Sequence, residues 1–158
     1  MRTFVRLCRK AFQFLEKEYG CAMVSVEDNV YRTCLTYQNQ TTAVIISFEP
    51  REGGIFVRLV RLVNGKILPY PITIKDDTPL HGYYLDDLVM LRNPLSRIDR
   101  PPIDDLQKAN VLSGVFTQHA KALRAYGGEI LNGNFSVFSE LEKIVKTRAA
   151  TLRRDIAT

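Results

Sequence analysis

Residue types able to do chemistry are sparse in this chain, and three adjacent aspartate pairs are the first to consider: Asp76–Asp77, Asp86–Asp87 and Asp104–Asp105. A hard divalent cation needs several carboxylate oxygens, which is why such pairs invite a metal reading. Neighbours on a helix diverge by about 100°, so one pair seldom grips one ion. Asp104 and Asp105 also suit a first helical turn, where negative charge meets the positive end of the macrodipole. The pattern predicts no metal and no cofactor.

Two imidazoles exist, His81 and His119. His81 adjoins Gly82 in a loop, where a general base could meet a substrate, but it has no partner nearby in sequence. His119 lies beside the apolar stripe of a helix and reads as a packing residue. A nucleophile elbow, a phosphate-cradling Gly-rich loop with Lys, a dinucleotide fingerprint and a His-Glu-x-x-His helix are all absent. A small enzyme using His81 or an Asp pair is therefore the third reading in order.

Cys8, Cys21 and Cys34 are odd in number and too widely spaced for a Cys-x-x-Cys pair, which favours reduced thiols in a cytoplasm. Cys34 is the candidate reactive thiol, because the register argued below sends it outward near Arg32, whose guanidinium would lower its pKa. The alternative is a small buried filler. Cations gather near the C-terminus: Lys143, Lys146, Arg153 and Arg154, with Arg148 and the loop residues Arg92, Arg97 and Arg100, form a candidate nucleic-acid patch. No recognition motif accompanies them, and a solvated helix face has the same composition.

The elements that must position these groups follow from composition and period. A chain of 158 residues and 18.0 kDa, 46% hydrophobic and 25% charged, fits one α+β domain spanning residues 1–158. The net charge of +5 leaves room for an acidic partner. The first residues, MRTFVRLCRKAFQF, are broken by Arg6, Arg9 and Lys10 and lack the apolar centre of a signal peptide. No stretch has the length of a membrane-spanning helix, so a cytoplasmic protein is expected.

Residues 3–19 carry Phe4, Leu7, Cys8, Ala11, Phe12, Leu15 and Tyr19 at helical spacing, with Gly20 as a stop. From Cys21 the period changes to two. Turns at Asp28-Asn29 and Asn39-Gln40 pair Val26 with Tyr31, Val24 with Thr33 and Leu35 with Val44. A loop over 50–53 pairs Phe48 with Ile55 and Ile46 with Val57. Asn64-Gly65, a hairpin signal, pairs Leu59 with Tyr70, Val57 with Ile72 and Ile55 with Ile74, while Pro69 and Pro71 confine that last strand to an edge. Helices follow at YYLDDLVMLRNP, over 103–126 and from a capping box near Ser139. The last helix buries Leu141, Ile144, Val145, Ala149, Leu152 and Ile156. The fold class is α+β: a five-stranded antiparallel meander sheet with an N-terminal helix and C-terminal helices packed on one face.

The other face of the sheet is the anomaly, reading Met23; Arg32, Cys34, Thr36; Ile45, Ser47, Glu49; Phe56, Arg58, Val60, Leu62; Ile67. A solvated face would be more uniformly polar. Either a later helix covers it or it is a contact surface. Arg32, Ile45, Glu49, Phe56 and Arg58 are the candidate binding residues, with Phe56 and Arg58 as anchors.

Four segments, FLEKEYG, TYQNQTTAVIISFEP, YYLDDLVMLRNP and NFSVFSELEKIVKTRA, resemble small uncharacterised bacterial proteins that have no established activity. The resemblance implies a bacterial origin and transfers no residue role. Some small bacterial α+β proteins are immunity proteins that occlude a toxin, though many of those are acidic. The leading expectation is a non-catalytic accessory or immunity-like protein that binds another protein, or itself as a homodimer, through the outer sheet face. Nucleic-acid binding by the last helix comes second.

Overall fold

Alternating apolar residues between positions 33 and 61 build the centre of the sheet. The computed structural model describes residues 2–158. Five strands lie in the order β1 (Ala22–Asp28), β2 (Thr33–Gln38), β3 (Thr42–Glu49), β4 (Gly54–Arg61) and β5 (Gly82–Tyr84), each antiparallel to the next. Phe48 opposes Ile55 and Ile46 opposes Val57, as the loop over 50–53 requires. Leu35, Tyr37, Val44, Ile46, Ile55, Val57 and Leu59 point to one side and are at most 4% exposed. That inner face carries the main core.

Six helices accompany the sheet: α1 (Arg2–Ala11), α2 (Gln13–Tyr19), α3 (Leu85–Arg92), α4 (Ala109–Tyr126), α5 (Gly128–Leu131) and α6 (Phe138–Ala157). The helical stretch expected over 3–19 breaks at Phe12, whose fully buried ring meets Phe116 of α4 edge-on at 6.3 Å. Phe4 packs on the same Phe116 ring at 5.0 Å, which joins α1 to α4. Phe138 at the start of α6 meets Tyr83 of β5 at 4.7 Å. Gly20 then ends α2 in the left-handed conformation, with φ of 64°.

Asn39 ties the layers at one end. Its side-chain oxygen accepts from the backbone N–H groups of Thr41 and Thr42, while its amide donates to the carbonyls of Tyr19 and Leu131. One turn residue thus holds the β2–β3 connection, the end of α2 and α5 together. Thr42 adds a buried hydroxyl bond to the Ile130 carbonyl at 2.8 Å.

Several expected pairings shift. The first turn forms around Asn29, whose side chain caps the N–H groups of Tyr31 and Arg32, so Val26 opposes Leu35 rather than Tyr31 and Asp28 opposes Thr33. A bulge between Met23 and Ser25 turns Met23 inward, opposite Tyr37, instead of outward. Val24, Val26 and Tyr31, which alternation assigns to the inner face, are instead exposed near the β1 edge of the sheet. The second turn closes between Asn39 and Thr42, which moves Leu35 opposite Ile46; the slip is two residues, so the faces are unchanged.

The fifth strand is not the expected 70–74 segment. Asn64 and Gly65 do take positive φ, yet only the bridge between Val63 and Lys66 follows, and Leu59 opposes Tyr83 instead of Tyr70. Pro69 and Pro71 interrupt the supply of N–H donors. Residues 64–81 run instead as a long connection, with Ile72 fully exposed. Gly82 admits β5 to β4, since a Cβ there would lie 2.9 Å from the Val60 side chain.

Two helix expectations also change. Residues 103–107 form a 3-10 turn, Ile103–Gln107, before α4 begins. No side chain caps α6; Ser139 donates to the Ser136 carbonyl, and Leu152 and Ile156 are exposed because the end of α6 projects past the core.

Truncating the fully buried Ile46 to Ala should lower unfolding free energy by about 3 kcal/mol. Ile72→Ala should change it by no more than about 0.5 kcal/mol. Urea titration followed by circular dichroism separates the two placements of these isoleucines.

Candidate functional site

The outer face of the sheet is roofed by the 64–81 connection and not by a helix. Cross-strand pairing sets out two rows on it: Glu27, Cys34, Ser47 and Phe56, then Ser25, Thr36, Ile45, Arg58 and Tyr84. Tyr70 drops onto the second row. Its ring lies 6.0 Å from Tyr84 and 5.1 Å from the Arg58 guanidinium. Val60, Leu62 and Ala43, with Ile45 and Ile67 against them, form a small second apolar cluster beneath the same connection. Burial pushes the Tyr70 and Tyr84 phenols up from their ordinary value, and Arg58 partly offsets this.

Cations from α6 fasten the connection to the domain. Lys146 donates to the Asp76 carbonyl at 2.7 Å, and Arg153 donates to the Ile74 carbonyl and approaches Asp76. Lys146 also pairs with Glu142. Arg148 reaches the buried carboxylate of Asp87, a bond that holds its guanidinium above the usual range. Of the residues proposed for nucleic acid, Lys146 and Arg153 are thus engaged internally, while Lys143 and Arg154 are exposed. The charge of α6 is largely structural.

A second loop, 93–102, supplies the other wall. Asp99 and Gln118 of α4 exchange two hydrogen bonds, fixing the loop so that Arg100 pairs with Asp86 and lies 5.1 Å from the Phe56 ring centre. Phe56 meets Tyr84 edge-on at 5.9 Å. The result is a cleft of about 360 Å³ with Phe56 and Tyr84 as apolar walls. Asp86–Arg100 and Asp87–Arg148 are neutralised pairs within it. Glu49 accepts a bond from Ser47, and among the described residues neither Glu49 nor Glu52 forms a salt bridge. Four carboxylates against two guanidinium groups leave the lining net negative.

The five candidate binding residues are not all brought together. Glu49 and Phe56 line the cleft, and Arg58 stands beside Tyr84 under Tyr70. Ile45 opposes Arg58 but belongs to the neighbouring apolar cluster. Arg32 pairs with Glu27 at 2.7 Å and also lies within electrostatic reach of Glu49. Arg100, Tyr70 and Tyr84 complete the site and were missed as members, because alternation along a strand says nothing about which distant loop lands on it.

The other chemical candidates are accounted for locally. His81 uses its carbonyl to accept the Arg61 N–H at the β4–β5 edge. Cys8, Cys21 and Cys34 are free and buried. Burial raises the Cys34 pKa and outweighs the lowering by Arg32, which corrects the reactive-thiol expectation; it raises Cys21 to about 11. Asp86, Asp87 and Asp105 each pair with a cation, and no group of three metal-ligating side chains occurs among the described residues. No described helix is long and apolar enough to cross a membrane. No family model, curated protein or solved structure matches the chain.

His119 is 2% exposed, with Nδ1 2.8 Å from the Val115 carbonyl, and burial lowers its pKa. Above about pH 6.5 the ring is neutral in both folded and unfolded chains, so its contribution to stability is fully present. Below that, the unfolded chain takes up a proton that the buried ring resists, and stability falls. The melting temperature should drop from about pH 7.5 to about pH 5.5, and less steeply in His119→Gln. Equal slopes in thermal scans would mean the ring is accessible to protons when folded.

Proposed function

We infer that this protein works without catalysis, by binding another polypeptide at the outer-face cleft, which accepts a cationic side chain. The supporting observation is the pair of carboxylates, Glu49 and Glu52, that form no salt bridge among the described residues at the mouth of an aromatic-walled cleft in a chain of net charge +5. An arginine or lysine side chain can lay its stem against Phe56 and Tyr84 while its charge meets those carboxylates. Arg100 and Arg148 hold the walls in place through Asp86 and Asp87, so little ordering is needed on binding. His81 is turned into the strand edge by its backbone and offers no partnered base, which favours binding over chemistry.

Two measurements test this reading. Capped peptides bearing one central arginine should perturb the backbone amides around Phe56 and Tyr84 in nitrogen–proton spectra, and Glu49→Gln with Glu52→Gln should weaken that binding roughly tenfold. A peptide with glutamate in place of arginine binding equally well would rule the cleft out as a cation site. Light scattering after size exclusion then decides whether the partner is a second copy. If it is, Phe56→Ala with Arg58→Ala should give monomers that keep the wild-type circular dichroism; assembly unchanged by that pair would place the contact elsewhere.

A further inference from the structure

α6 holds five cations against three acids, a net charge of only +2. By sequence α1 carries four cations and no acid, α2 one cation and two acids, and α4 two cations and no acid. Those three helices therefore hold a net charge of +5, the value for the entire chain, and the remainder is balanced. α1 and α4 pack together through Phe4 and Phe116. Where α1–α2 meet α4 on the solvent side there is an open groove of about 580 Å³.

Its two walls have the same spacing. Leu7, Ala11, Phe14 and Glu18 recur at i, i+4, i+7 and i+11 along α1–α2, and Ser113, Thr117, Ala120 and Arg124 do so along α4. Such stripes are the surfaces into which a third helix packs, and the small side chains at 11, 113, 117 and 120 permit a close approach. One end is closed by the Glu18–Arg124 pair at 2.8 Å, with Arg124 also lying over Phe14 at 5.1 Å. Lys10, Lys17 and Lys121 line the rim and, among the described residues, form no salt bridge.

We propose that this groove is a docking site for an acidic amphipathic helix of a partner protein, about three turns long. Each wall stripe spans eleven residues of rise, about 16 Å, which sets that length. Glutamates or aspartates flanking the docked face meet Lys10, Lys17 and Lys121, while small apolar residues settle between Ala11 and Ala120. Nucleic acid fits less well. The groove's one aromatic ring, Phe14, is buried beneath Arg124, so no base can stack there. The surface is separate from the cleft at Phe56 and does not depend on it.

A synthetic helix of about 18 residues, with an alanine and leucine face flanked by glutamates, is the probe, beside versions flanked by lysine. In nitrogen–proton spectra the glutamate peptide should shift the amides of Ser113, Thr117 and Ala120, with affinity falling between about 50 and 200 mM salt. Lys10→Glu with Lys121→Glu should weaken it at least roughly tenfold and reverse the preference toward the lysine peptide, with an unchanged melting temperature because both side chains are exposed. Glu49→Gln with Glu52→Gln should leave it unaffected. Equal binding of both peptides, indifference to the Lys10 and Lys121 changes, or a single-stranded oligonucleotide displacing the peptide from those amides at lower concentration would each overturn the assignment.

Discussion

β3 and β4 must send Val44, Ile46, Phe48, Ile55, Val57 and Leu59 to one side, because a shift of one residue would expose all six together. That alternation is the constraint on which the other parts rest. It places the helices, since a wall of buried aliphatic side chains is satisfied by the apolar side chains of the helices, α3 and α5 included. It also leaves Phe56 and Arg58 on the opposite side with no helix to cover them. The open outer face is thus a by-product of core formation. No buried side-chain nitrogen or oxygen among the described residues lacks a partner, which is what a core specified at this level requires.

The outer face is finished by charge and not by a further layer. Residues 64–81 contain three prolines and no named helix or strand, so their carbonyls are available to outside donors. Lys146 and Arg153 take two of them, and Arg58 is sandwiched between strand and loop by Tyr70. Arg148 acts in the same way on α3 through Asp87. Two of the cations that form a stripe along α6, Lys146 and Arg153, are therefore fasteners of a roof. Charge-assisted bonds to carbonyls and carboxylates are among the stronger single contacts a surface can make.

The sequence was most informative where period and burial coincide. The pairing of Phe48 with Ile55 and of Ile46 with Val57, the inner face of β2 to β4 and the stripe of α4 all follow from alternation or helical spacing. Errors arose where a turn had more than one way to close: Asn29 caps two N–H groups by itself, and Asn39 is recruited by α2 and α5, neither of which is local. The 70–74 segment alternates as a strand should, yet Gly82-Tyr83-Tyr84 takes its place, because three residues with intact donors lead straight into α3. Of the candidate site, Glu49, Phe56 and Arg58 were legible from the face they occupy. Tyr70, Tyr84 and Arg100 were not, since Tyr70 and Arg100 arrive from loops, and Tyr84 from a short strand, whose landing points are tertiary facts.

The division of charge between α1, α2 and α4 on one side and the Glu49–Glu52 mouth on the other gives the molecule an electric dipole directed across its sheet. In the field of a charged neighbour such a body turns before it touches, so encounter is biased toward one presentation of the surface over many random ones. Collisions are sorted by orientation while the two bodies are still separated by about a Debye length, roughly 8 Å in physiological salt.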